Sequence, residues 1–185
     1  MDKDTALSFL SQHQPMPPDS ELTEELLVQY DEIRKFCIEN PDPECIPLFL
    51  NSFGEGTGFG VYQLVDDVLR QFHPKDIVMH LVKALRSSYH SVRGWAAQLA
   101  MQFPQPELMK PLEDILFNYD EDSAIRSWAA ISISFIDDPL IDGILERALR
   151  HEQNPKVRND IINAIKKRPD ALAATRREQA VQSGN

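Results

Sequence analysis

Cysteine is scarce: Cys37 and Cys45 are the two in 185 residues. Two thiols do not make a disulfide framework, and their spacing matches no zinc pattern, so both read as reduced, partly buried side chains. No apolar run reaches the roughly 18 residues that a membrane helix needs. Residues 1–10 place acids beside Met1 and lack an apolar stretch, which argues against a secretory signal. No segment alternates with the period of two that a strand requires. The five histidines, at 13, 73, 80, 90 and 151, have no partner at metal-ligand spacing. The serines of residues 123–134 lack the glycines of a nucleophile elbow. These absences leave a protein expected in the cytoplasm, with no membrane segment, cofactor, metal or catalytic centre.

Glycine is sparse too, and unevenly spread. Of 7 glycines, four (Gly54, Gly56, Gly58 and Gly60) fall in residues 51–60. The loop has no lysine, no strand before it, and Glu55 where an anion would sit, so it is not a phosphate cradle. It reads as a flexible turn between helices or as a partner-contacting loop with Phe53 and Phe59 as apolar anchors. The adjacent acids Asp66 and Asp67 would point about 100° apart on a helix and do not form an acid/base pair. Asp120, Glu121 and Asp122 precede a helix and complement its N-terminal dipole.

What is present is an ordinary globular composition, 42% hydrophobic and 26% charged. Net charge is −10. Residues 1–60 carry 12 acids against 3 bases, a net of −9, and residues 147–177 carry 9 bases against 3 acids, a net of +6. The acidic balance disfavours a nucleic-acid partner and favours a basic protein. The basic end reads as a solvated last helix with a frayed tail.

Helical periodicity carries the fold. Val92, Trp95, Ala96, Leu99 and Phe103 stand at i, i+3, i+4, i+7 and i+11, and Val61, Leu64, Val65, Val68 and Phe72 repeat those offsets. Between such stretches lie residues 76–87, with Ile77, His80, Leu81, Ala84 and Leu85; residues 106–119, with Leu108, Met109, Leu112, Ile115 and Leu116; and residues 139–151, with Leu140, Ile144, Leu145, Ala148 and Leu149. A further helix is expected from Ser20, its N-cap, to about Glu39. The string Val92-Arg93-Gly94-Trp95-Ala96-Ala97 returns as Ile125-Arg126-Ser127-Trp128-Ala129-Ala130 and, without the alanine pair, as Val157-Arg158-Asn159-Asp160-Ile161-Ile162. The spacings are 33 and 32 residues, the period of a helical pair.

An Asp-rich turn followed by Val-Arg-x-x-Ala-Ala resembles a HEAT repeat. The resemblance covers about residues 41–168. It implies an all-α superhelix of about four helical hairpins behind an N-terminal cap helix, with the copy at Val61-Tyr62 degenerate. The expected organisation is a partly flexible segment over residues 1–20, one solenoid domain over 21–170 and a partly helical or disordered tail over 171–185. It also implies that the motif helices line a concave face. On that face Tyr62, Asp66, Asp67, Arg93, Gln98, Arg126 and Arg158 are the candidate partner contacts, Tyr62 being read as exposed. The arginines have a structural alternative, pairing with acids or carbonyls of a neighbouring hairpin turn. Trp95 and Trp128 are expected to pack between repeats. The implied function is protein–protein interaction, as an adaptor or an inhibitor. The acidic N-terminal third also suits an immunity-type protein that neutralises a basic toxin. HEAT-like enzymes such as DNA-repair glycosylases or pigment lyases are the contrasting class.

Overall fold

The computed structural model describes residues 1–183, with side chains through residue 170 and at 172 and 173. The described residues hold ten α-helices, four short 3-10 turns and no strand. They divide between Ala96 and Ala97 into two compact units.

In the first unit, α1 (Lys3–Gln12) starts at Asp2, whose carboxylate accepts from the Thr5 N–H at 2.8 Å. It buries Ala6, Phe9 and Leu10. The first twenty residues are tied to the unit by Lys3–Asp42 at 2.5 Å and by the Met16 N–H on the Ser52 carbonyl at 2.9 Å. The next helix, α2 (Glu24–Glu39), starts three residues after the expected cap region. Thr23, not Ser20, accepts from the Leu26 N–H at 3.2 Å, while Ser20 sits in a turn closed by the Glu21 N–H on the Pro18 carbonyl. Its buried face is Tyr30, Ile33, Arg34 and Cys37. Helix α3 (Cys45–Asn51) packs on α1 and on α5 (Pro74–Ala84). Pro74 opens α5 with its φ already helical, and His73 Nδ1 accepts from the Lys75 N–H at 3.2 Å.

The segment read as the first motif helix is broken into 3-10 turns and a five-residue helix, α4 (Val65–Leu69), which packs on α2. Its buried residues are Tyr62, Val65, Val68 and Leu69; Leu64 is 39% exposed. Val65 and Val68 of the expected stripe are thus buried, whereas Tyr62 and Leu69 take the places expected for Val61 and Leu64. A 3-10 start winds more tightly than an α-helix and rotates the buried stripe away from the 3.6 period.

Helix α6 (His90–Leu99) contains the boundary between the units. In the second unit α7 (Met109–Leu116) packs on α8 (Ser123–Ile133), and α9 (Leu140–His151) and α8 pack on α10 (Pro155–Ser183). Asp122 caps α8 by accepting from the Ala124 N–H at 2.7 Å. Asn154 does the same for α10 through the N–H groups of Lys156 and Val157. On α9 the first stripe residue is Ile141 rather than Leu140, which is 62% exposed. Helix α10 buries Val157, Ile161, Ala164 and Arg168, at i, i+4, i+7 and i+11. The last two residues of the expected tail lie outside the described residues.

Candidate functional site

In the first unit, loop 51–60 is built on a nest of rings. Tyr30 meets Phe49 and Tyr62 edge-on, each at 5.7 Å between centroids, and Tyr62 meets Phe53 at 5.7 Å and Trp95 at 5.9 Å. Phe53 and Trp95 stack at 5.4 Å. Tyr30, Phe49, Phe53 and Tyr62 are fully buried, each worth on the order of 1.5–3 kcal/mol by area. Burial pushes the Tyr62 hydroxyl up to about 12, so the phenol stays neutral.

Over this nest the loop is pinned from several sides. The Asp19 carboxylate accepts from the N–H groups of Thr57 and Gly58, each at 2.9 Å, and the Asp19 N–H donates to the Glu55 carbonyl at 2.8 Å. Ser91 Oγ donates to the Phe53 carbonyl at 2.9 Å and Trp95 Nε1 to the Gly56 carbonyl at 3.2 Å. Gly54 is required by close approach: a Cβ there would lie 2.5 Å from the Pro17 carbonyl oxygen. Gly58 combines φ 55° with the Tyr62 ring, 2.8 Å from where its Cβ would be.

Phe59 sits beyond these ties at φ 47°, a left-handed conformation that costs a bulky residue about 1–2 kcal/mol. Its side chain is 66% exposed. The residues expected to anchor a partner are thus divided. Phe59 faces solvent, whereas Phe53 and Tyr62 are buried beneath the loop and present no surface. The signal was in the spacing: Ile46, Phe49, Leu50 and Phe53 continue one stripe, as do Tyr62, Val65 and Leu69.

The remaining candidates fall on either side of the unit boundary. Asp66 pairs with Arg70 at 3.2 Å, and Asp67, about half-exposed, lies 3.8 Å from Arg34. Gln98 is half-buried. The arginine ladder bonds within the protein. Arg93 donates to the carbonyls of Ser87 at 2.7 Å and Ser88 at 3.1 Å, and Arg158 to that of Leu149 at 2.6 Å. Arg126 does not line a surface: 5% exposed, it donates to Glu152 at 2.5 and 3.3 Å under the ring of Tyr119. Here two opposite charges come together out of water.

Arg168 was not singled out from the sequence. It lies on the buried stripe of α10 and donates to Asp142 at 2.7 Å and to the carbonyls of Ser134, Ile136 and Asp138 at 2.7, 2.7 and 2.8 Å. It thereby satisfies backbone acceptors left over where α8 ends. Its place at i+11 from Val157 was the available signal.

Among the described residues no three His, Cys, Asp or Glu side chains come together as a metal site. No described helix is long and apolar enough to cross a membrane. A family model described as HEAT repeats matches residues 74–166, just over half of the chain. No curated protein matches the chain.

Proposed function

Because the chain belongs to the HEAT-repeat family, whose members commonly hold other proteins, we propose that it is a protein-interaction module whose first unit docks a cationic protein partner through the loop tipped by Phe59. One observation carries this reading: an exposed phenylalanine is held in a strained backbone conformation on a loop bonded down along its length. Strain of that kind persists where the surroundings enforce it, and it concentrates at ligand-gripping positions. A rigid aromatic point loses little conformational freedom on entering a pocket.

Charge supports the nature of the partner. The 12 acids and 3 bases of residues 1–60 make this part of the chain strongly anionic, and Glu55, in the same loop as Phe59, is itself about two-thirds exposed. An anionic surface around an apolar point complements a basic surface around an apolar socket and speeds encounter at low salt. Asp67, in the same unit, is a further contact candidate. An inhibitor of a basic toxin is one form this module would take.

The test is capture from the native cell at low salt, with Phe59→Gly beside the wild type. Wild type should retain one stoichiometric basic protein, lost in raised salt, and the variant should retain at least several-fold less. Glycine relieves the left-handed strain, so the variant should also unfold at higher denaturant by about 1 kcal/mol. Lost capture then cannot be ascribed to lost folding. Undiminished capture by the variant would refute the role of the loop.

A further inference from the structure

Cys37 lies in the last turn of α2 and Cys45 opens α3, and their sulfurs lie 3.1 Å apart. Both are free and buried. The connection between them, residues 40–44, contains Pro41 and Pro43, which limit its freedom. Cys45 borders a cleft of about 300 Å³ that Lys3, Phe36, Asn40 and Asp42 also line, whereas Cys37 does not line it. We propose that this pair is a redox modification site, at which a small hydroperoxide entering the cleft converts the two thiols reversibly to a Cys37–Cys45 disulfide.

The roles follow from position. The sulfurs need to approach by about 1 Å to reach a disulfide bond length of about 2.05 Å. Cys45 meets the cleft and attacks first. The Cys37 thiol can donate to the Cys45 sulfur, and this hydrogen bond, the largest influence, lowers the Cys45 pKa against its burial; the same bond, with burial, raises that of Cys37. Nearby Asp42 and Glu44 would oppose a thiolate, but Lys3 binds both, at 2.5 and 3.4 Å.

The chemistry balances. The Cys45 thiolate attacks the distal peroxide oxygen; an S–O bond forms, the O–O bond breaks, and the leaving alkoxide or hydroxide takes a proton. Cys45 is then a sulfenic acid. The Cys37 sulfur attacks the Cys45 sulfur, the S–S bond forms, the S–O bond breaks, and hydroxide leaves as water with the Cys37 proton. Two electrons pass from the thiols to the peroxide.

Hydrogen peroxide is the probe, with free-thiol titration and non-reducing intact mass on the full chain. The wild type should lose both titratable thiols and two hydrogens of mass as a monomer, and dithiothreitol should restore both. Cys37→Ser should stop at a Cys45 sulfenic acid that dimedone captures, and Cys45→Ser should leave Cys37 unmodified at the same dose. Two persisting thiols in the wild type, added oxygens without a disulfide, or a disulfide-linked dimer would each overturn the proposal. The wild-type result decides it even where a variant fails to fold.

Discussion

Arg126 and Glu152 each give up their hydration to face the other, being 5% and 4% exposed. Such a pair is worth little against apolar replacements of the same size, but removing one partner strands the other as a buried charge. Arg126→Met is therefore expected to cost about 3–5 kcal/mol in denaturant unfolding. Adding Glu152→Gln, which retains an acceptor for the Asn154 N–H, should recover part of that loss. A single substitution within about 0.5 kcal/mol of wild type, the usual range for surface changes, would mean that the pair is not formed. Arg158, which donates to the Leu149 carbonyl, should cost less. The same motif position thus meets an acid at Arg126 and a backbone carbonyl at Arg158.

At the scale of the element, α5 shows what periodicity conveys and where it stops. Ile77, Leu81, Ala84 and Leu85 were legible as its buried stripe and are buried. His80 lies at the edge of that stripe, half-buried, and burial first and Lys83 second hold its pKa below 6.5. A lowered histidine pKa means that the unfolded chain takes up the proton more readily. Stability from this group is complete above pH 6.5 and falls as the pH drops below it, toward the folded value. Denaturant midpoints measured well above pH 6.5 and about one unit below it should show that fall, and His80→Gln should flatten it; an equally steep fall in the variant would assign the effect elsewhere.

Helices α6, α8 and α10 were legible because the Val/Ile-Arg string marks them and their stripes hold the 3.6 period. Around α4 Val65 and Val68 were legible, but Val61 and Leu64 were misread because 3-10 turns there depart from the 3.6 period. The start of α2 was misread because Ser20 and Thr23 are both capable caps, and the choice rests on Asp19 being drawn into loop 51–60. That loop was legible as a loop. Which phenylalanine it exposes was open to reading only through the stripe of Ile46, Phe49 and Leu50, which runs into Phe53 and not Phe59. Nor did sequence spacing reveal that Asp19 binds a backbone 38 residues away.

Over the whole molecule, charge is segregated along the chain, −9 in residues 1–60 and +6 in residues 147–177. A solenoid family spreads its binding among many possible surfaces, so the central claim is one of place: the partner meets the first unit at Phe59. Leu140 offers a fair rival, being 62% exposed on α9 of the second unit. The most direct test puts a photo-reactive benzophenone side chain at position 59 in one protein and at position 140 in another. Both are irradiated in native extract at low salt, and the cross-linked peptides are read by mass spectrometry. A basic protein joined at position 59 and absent at position 140, with its yield falling as salt rises, is the predicted result. Cross-linking at position 140 with none at position 59, or a yield at position 59 indifferent to salt, would contradict it.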